Sequence, residues 1–246
     1  MIARHKLLAM AAVRLLAFDT STERLAAGLQ GPGGPHTLDA EGGAQASATL
    51  LPLLQSLLDQ AGLAYADLDF IAFGRGPGAF TGLRTACAVA QGLGLGLGKP
   101  VLAIDSLLIV AEDARAQAAP GLAEFDVGVA MDARMNEVYA AAYRWQDAGW
   151  TVQQAPGLYS LPALAEAWSA LPLHAVAGSA LNAFGDRLSL PVAQRVPHEQ
   201  GRAAALLRLA VQAAAAGLGV DAANALPLYL RDKVALTTQE REAART

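Results

Sequence analysis

One local pattern occurs twice in this chain of 246 residues: an apolar strand ending on an aspartate, a polar turn, and a second apolar strand. Ala17-Phe18-Asp19-Thr20-Ser21-Thr22-Glu23-Arg24-Leu25-Ala26-Ala27 can be laid without a gap on Ala130-Met131-Asp132-Ala133-Arg134-Met135-Asn136-Glu137-Val138-Tyr139-Ala140. Asp19 and Asp132 then hold equivalent positions. A duplicated opening of this kind points to two similar halves, although two unrelated hairpins would also produce it, because Asp, Ser and Thr are common turn residues. The residues beyond each hairpin would decide, and there the two stretches diverge.

Hydrophobic periodicity predicts strands at 14–18, 25–30, 69–73 and 101–104 and helices at 47–61, 81–95 and 105–118. The second half opens with strands at Val127–Met131 and Val138–Tyr143, then helical patterns near 161–170 and 201–216. Strands first and alternating helices and strands afterwards describe an α/β layer structure. We divide the chain into an N-terminal extension (1–13), a first half (14–104), and a second half with a C-terminal tail (105–246).

A chain that is 54% hydrophobic and 16% charged has the apolar content for a full core, which excludes disorder and collagen-like order. One cysteine, Cys87, excludes an internal disulfide and a Cys-rich zinc site and fits a reducing compartment. A net charge of −4 with scattered arginines argues against gripping nucleic acid unaided, since phosphate neutralisation needs a concentrated cationic face. Arg4 and Lys6 ahead of Leu7–Val13 imitate a secretory signal, but Arg14 interrupts the run, and Leu15-Leu16-Ala17-Phe18 reads as a buried strand. Met10 is an alternative start. Elsewhere no stretch reaches the ~18 uninterrupted apolar residues of a membrane span, so the expectation is a cytoplasmic protein with no membrane segment.

The segment Gly74-Arg75-Gly76-Pro77-Gly78-Ala79-Phe80-Thr81-Gly82-Leu83-Arg84 lies between a strand and a helix. Its glycines and proline predict a tight turn in which Gly76 or Gly78 takes a conformation costly for other residues, with Thr81 as helix N-cap. Backbone N–H groups at such a helix start can hold an anion, whereas the plain alternative is a connector with packing glycines. It is not a dinucleotide fingerprint, because the glycine that should follow Gly76-x-Gly78 comes one position late, at Gly82. Gly92–Pro100 is not a P-loop either, having Leu93 where the first glycine belongs and Pro100 where Ser or Thr must meet magnesium.

The helix after this turn carries Gly82, Ala86, Ala90, Gly94 and Gly98 at steps of four, a small stripe that lets another backbone come close. Cys87 on it reads as a small core residue, and the helix should end in the glycine run before Pro100. The helix at 47–61 is apolar at 50, 51, 53, 54, 57 and 58, wider than one core requires. Either it is buried on two sides or it offers surface to a partner; we take the partner reading.

A duplicated fold with Asp closing the first strand of each half resembles the actin, hexokinase and Hsp70 superfamily of tandem RNase-H-like domains. That resemblance implies that Asp19 through Thr22, with Asp19, Thr20 and Ser21 as the site candidates, form a phosphate-facing turn, beside which Gly76 and Gly78 of the glycine segment are the second candidate pair. Four motifs in order are more specific: Leu16–Thr22, Gly74–Arg84, Met131–Tyr139 and Pro227-Leu228-Tyr229-Leu230-Arg231. Together they are similar to the TsaB (YeaZ) family, which takes part in threonylcarbamoylation of adenosine 37 in tRNA. The resemblance implies a non-catalytic subunit that pairs with its catalytic paralogue TsaD, is joined by the ATPase TsaE and reaches tRNA only through that complex; the same apolar surface, left uncovered, predicts a homodimer when the chain is alone. The resemblance places the partner interface on helices of the first half, for which the candidates are Leu50, Leu54, Leu57, Leu58, Ala86 and Ala90.

No catalytic residue, metal site or cofactor is expected. His5, His36, His174 and His198 form no His-x-x-x-His pair of the kind by which TsaD holds its metal. Where many relatives carry His-Ser or His-Thr before the Leu-Leu-Pro of the first long helix, this chain has Ala46-Ser47, and its N-terminal extension is outside the usual pattern. The alternative is an ATP-dependent phosphotransferase of the sugar-kinase kind using Asp19 near magnesium, weakened because Gly178-Ser179-Ala180-Leu181-Asn182 is the only second phosphate loop on offer. A glycoprotease is least favoured, since there is no Gly-x-Ser-x-Gly nucleophile elbow.

Overall fold

The computed structural model describes residues 13–188, 190 and 194–231. The proposed N-terminal extension up to Ala12 and the tail from Asp232 lie outside the described residues.

Each opening hairpin grows into a three-stranded antiparallel meander: β1 (Leu15–Asp19), β2 (Arg24–Gly31) and β3 (Gly34–Glu41) in the first half, β6 (Phe125–Asp132), β7 (Glu137–Gln146) and β8 (Gly149–Ser160) in the second. Two strands then join in parallel on the other side of the first strand, β4 (Phe70–Gly76) with β5 (Val101–Asp105), and β9 (Ala175–Ala177) with β10 (Gln194–Val196). The sheet orders are therefore β3-β2-β1-β4-β5 and β8-β7-β6-β9-β10. Strand-for-strand identity of order is what duplication produces and what two unrelated hairpins would not. The protein is thus an α/β fold of two tandem RNase-H-like halves, the actin-like arrangement.

Parallel pairing requires crossovers. In the first half these are α1 (Ala46–Ala61) and α2 (Phe80–Leu97); in the second they include α4 (Leu161–Trp168) and the short α5 (Ala180–Phe184). Both long crossovers end where glycine accepts the left-handed conformation, α1 at Gly62 (φ 64°) and α2 at Gly98 (φ 63°). The gapless overlay of the hairpins slips by one residue, since Asp19 pairs with Ala26 but Asp132 with Val138. The second turn is one residue tighter and passes through Arg134, Met135 and Asn136 in the left-handed region (φ 65°, 57° and 57°).

Strand alternation sends side chains to both faces of the first sheet. Leu16 and Phe18 join α1 and α2 in one core, while Leu15 and Ala17 join another on the opposite face. The helix covering that opposite face is α6 (Arg202–Ala215), from the far end of the chain, through Ala205, Leu206, Leu209 and Ala210. Reciprocally α3 (Ser106–Ala118), which follows β5, packs Leu107, Val110, Ala111 and Ala114 against Val127 and Val129 of the second sheet. The halves exchange their last helices. The exchange is pinned by buried acids of α3: Glu112 accepts from Arg208 of α6 and from Trp150, and Asp113 accepts the Gln200 and Gly201 N–H groups at the start of α6.

Candidate functional site

The first turn, the glycine segment and the start of α6 converge on Asp19. Its carboxylate is fully buried and accepts the Ser21 N–H at 2.6 Å, the Ser106 hydroxyl at 2.8 Å and the Arg202 guanidinium at 3.3 Å. Ser106 in turn accepts the Gly76 N–H at 3.1 Å, and Arg202 also donates to the Ser21 hydroxyl at 3.0 Å. Burial pushes the Asp19 carboxyl up, but Arg202 and the Ser21 and Ser106 bonds outweigh it and hold the group below the usual carboxylate range. Arg202 is itself 2% exposed; burial lowers its pKa, and the opposed charges of Asp19 and Glu199 more than restore it, leaving it above its ordinary value.

The glycines serve this junction. A Cβ on Gly74 would overlap the Asp19 carboxylate, one on Gly78 the Ser21 carbonyl, and one on Gly82 the Thr20 carbonyl. Thr20 donates its hydroxyl to the Gly82 carbonyl at 2.7 Å, and the Ala79 N–H donates to the Ser21 carbonyl at 2.8 Å. Of the two glycines singled out by sequence, Gly76 adopts the costly conformation (φ 108°). Thr81 does not cap the helix: α2 begins at Phe80 behind Ala79, with no side-chain cap bond. The helix start is docked on the Ser21 carbonyl instead.

The candidate phosphate-facing residues therefore do come together, Asp19, Thr20 and Ser21 against Gly76 and Gly78, but Asp19 and Thr20 are turned into the junction and only Ser21 and Gly78 also line the neighbouring cleft. Thr20 and Ser21 are buried at 1% and 2%, and the Asp19 oxygens are committed to Arg202, Ser106 and Ser21. Arg202 and Ser106 were not legible as site residues, because neither sits in a motif: Ser106 reaches Asp19 from the end of β5 in the first half's own sheet, and Arg202 arrives only through the helix exchange.

Beside this junction, between the halves, lies a cleft of about 600 Å³ reached by Ser21, Phe80, Met135, Ser179, Tyr229 and Arg231. Gly178 and Ser179 occupy in the second half the place of the glycine segment in the first: Gly178 is left-handed (φ 115°), and the Ser179 hydroxyl accepts the Asp132 N–H at 3.1 Å. Asp132 is more open than Asp19 and contacts Arg134 at 3.5 Å. Among the described residues no cluster of three or more His, Cys, Asp or Glu is arranged to hold a metal, and no helix is long and apolar enough to cross a membrane.

The partner-surface candidates lie elsewhere and need correction. Leu50, Leu54, Leu57, Leu58, Ala86 and Ala90 are each at most 1% exposed and all belong to the first half's own core. The breadth of the apolar face on α1 reflects burial against both β2 and α2, the other alternative the pattern allowed. The faces these helices leave open carry Ala48, Leu51 and Gln55 on α1, and Arg84, Ala88, Gly92 and Leu95 on α2.

Comparison with known proteins places this geometry. The family TsaD, tRNA N6-adenosine threonylcarbamoyltransferase, matches residues 41–245. The tRNA threonylcarbamoyladenosine biosynthesis protein TsaB of Escherichia coli (strain K12) is 31% identical over 239 residues, covering 91% of this chain and 96% of its own. Its namesake in Haemophilus influenzae is 41% identical over 126 residues, 51% of each chain. Among solved structures, YeaZ from Pseudomonas aeruginosa is 37% identical with a TM-score of 0.80 over 89% of this chain and 100% of its own. A second Pseudomonas aeruginosa structure, of an uncharacterized protein with similarity to peptidase YEAZ, gives 0.82 with the same identity and coverage.

Proposed function

Because the chain belongs to the TsaB (YeaZ) family, we propose that it is a non-catalytic subunit in the threonylcarbamoylation of adenosine 37 in tRNA, working in the cytoplasm as the docking partner of a TsaD-like catalytic paralogue, with a TsaE-like ATPase joining the pair. The observation that carries the non-catalytic part is the engagement of Asp19. A phosphotransferase of this fold needs that carboxylate turned toward a cation, and here Arg202 already supplies the positive charge from within the protein. Freeing Asp19 would leave a buried guanidinium with Glu199 alone, so the phosphotransferase reading is disfavoured on energetic grounds.

The docking surface we assign is the open face of α1 and α2. Ala88 and Gly92 at a step of four let a partner helix approach closely, and Leu51 and Leu95, 47% and 62% exposed, supply apolar anchors. The same face would bring two copies together when the paralogue is absent, as an isologous dimer. tRNA is met through the assembled complex, in keeping with the net charge of −4.

Reconstitution tests the reading: TsaD, TsaE, the threonylcarbamoyl-adenylate synthase and tRNA, with and without this chain. Modification of tRNA is expected to require it, and Asp19→Asn protein that still folds should support the reaction. Undiminished modification without the chain, or ATP turnover by the purified chain abolished in Asp19→Asn, would overturn the proposal.

A further inference from the structure

The stretch Ala225–Arg231 is bound to both halves. On the first, the Ala225 carbonyl accepts from Gln91 at 2.7 Å and Cys87 at 3.3 Å, and the Leu228 N–H donates to the Arg75 carbonyl at 2.7 Å. The Tyr229 ring packs on Phe80 with centroids 5.3 Å apart, its hydroxyl accepts from Arg84 at 3.2 Å, and the Arg84 guanidinium lies 3.8 Å over the Phe80 ring. On the second, Arg231 pairs with Glu137 at 2.7 Å and donates to the Ala133 carbonyl and the Met135 sulfur, each at 3.1 Å. Leu228 to Arg231 form a wall of the cleft between these anchors.

We propose that Ala225–Arg231 is a strap, forming a wall of the cleft between the halves, that couples the exposed end of α2 to the left-handed turn Arg134–Asn136 on the opposite half. The turn is the element able to respond, because three successive non-glycine residues stay left-handed only while their surroundings hold them. Besides its own backbone bonds, from the Ala133 N–H to the Glu137 carbonyl and from the Glu137 N–H to the Arg134 carbonyl, its restraints are the exposed Arg134–Glu23 pair at 3.6 Å, the Asp132 carboxylate on the Arg134 N–H and guanidinium, Arg187 on the Asn136 side chain, and Arg231 on Ala133, Met135 and Glu137. Only the last of these comes from the strap, and Arg231 is 14% exposed, so losing it removes a largely desolvated cation from both Glu137 and the turn.

The near end is placed to be read from outside. Arg84 is exposed on α2, and any protein seated on that helix meets the side chain that holds Tyr229. Gly76 fits the strap closely, since a Cβ there would come within 2.9 Å of the Leu228 carbonyl and 3.0 Å of Leu83. The coupling needs no partner to be demonstrated and stands apart from the docking assignment above.

Hydrogen exchange followed by mass spectrometry on the full chain tests it. Tyr229→Ala, which removes ring and hydroxyl contacts to the first half, is expected to speed exchange at 133–137 at least tenfold; Arg231→Ala should do so more strongly and Arg84→Ala more weakly. Peptides from β1 and β6 should keep wild-type protection throughout. Faster exchange confined to 225–231 in Tyr229→Ala, with 133–137 at the wild-type rate, would overturn the proposal. If Tyr229→Ala loses protection everywhere, the exposed-residue variant Arg84→Ala decides by the same criterion.

Discussion

Asp19 and Arg202 set the terms at the residue scale, since each is buried and each is the other's main neutralising charge. Asp19→Asn keeps the shape and leaves the guanidinium with Glu199 alone, so urea unfolding should show a loss of about 3–5 kcal/mol. The folded Asp19 carboxyl lies below its unfolded value of about 3.9, so its stabilisation is complete above that pH and lost as pH falls through the folded value. Glu112, pushed up by burial and more strongly down by Arg115 and Arg208, adds to the same acid limb. Stability measured from pH 5 to pH 2 should therefore fall steeply in the wild type and less steeply in Asp19→Asn; parallel curves would show that Asp19 is not shifted. Gly78→Val tests the packing role of the glycine segment: the new side chain must displace the Ser21 backbone, and a cost of about 1–3 kcal/mol or more is expected in thermal unfolding before any ligand is involved.

For elements, the burial of α1 and α2 separates core from surface side chain by side chain. Leu54→Glu places a charge in the first half's core and should unfold that half, read as loss of near-ultraviolet circular dichroism. Leu51→Glu or Ala88→Arg, on the open faces, should leave the fold intact and weaken association with TsaD at least tenfold by size exclusion with light scattering. A folded Leu51→Glu, Ala88→Arg double variant that binds normally would refute the assigned surface. The long crossovers and inner strands were legible because their periodicity is strong, and the observed bounds of α1, α2, α3 and α6 depart from expectation by one or two residues. β3 was not, because Gly34, Pro35 and alternating polar residues on a sheet edge resemble a loop. β8 hides likewise behind Pro156 and Gly157, and β9 and β10 are three residues each, too short to show a period.

Across the whole molecule, the exchanged helices make the halves interdependent. A fragment of residues 14–104 would retain β1 to β4, all but the last residue of β5, α1 and α2, yet expose Leu15, Ala17, Ala72 and Leu102, which α6 covers. We expect it to bind the dye ANS and lack a cooperative thermal transition, whereas the same fragment joined by a linker to residues 200–216 should regain one. A cooperative transition in the fragment alone would show that the first half folds without its borrowed helix. The cut at residue 104 follows the duplication in sequence; the packing layers cross it in both directions.

The sequence by itself determined the α/β class and the family, pointed to a duplication and narrowed the strained position to Gly76 or Gly78, because each rests on local pattern: period, turn chemistry and motif order. Tertiary structure alone decided what the pattern meant. Asp19 could be read as facing a cleft until Arg202, 183 residues away, arrived through the helix exchange to neutralise it. The leucines of α1 could be read as outward until β2 and α2 closed over them. Amphipathic width records how much of a helix is apolar, and only the neighbouring elements establish whether that surface is covered by the chain itself or left for another.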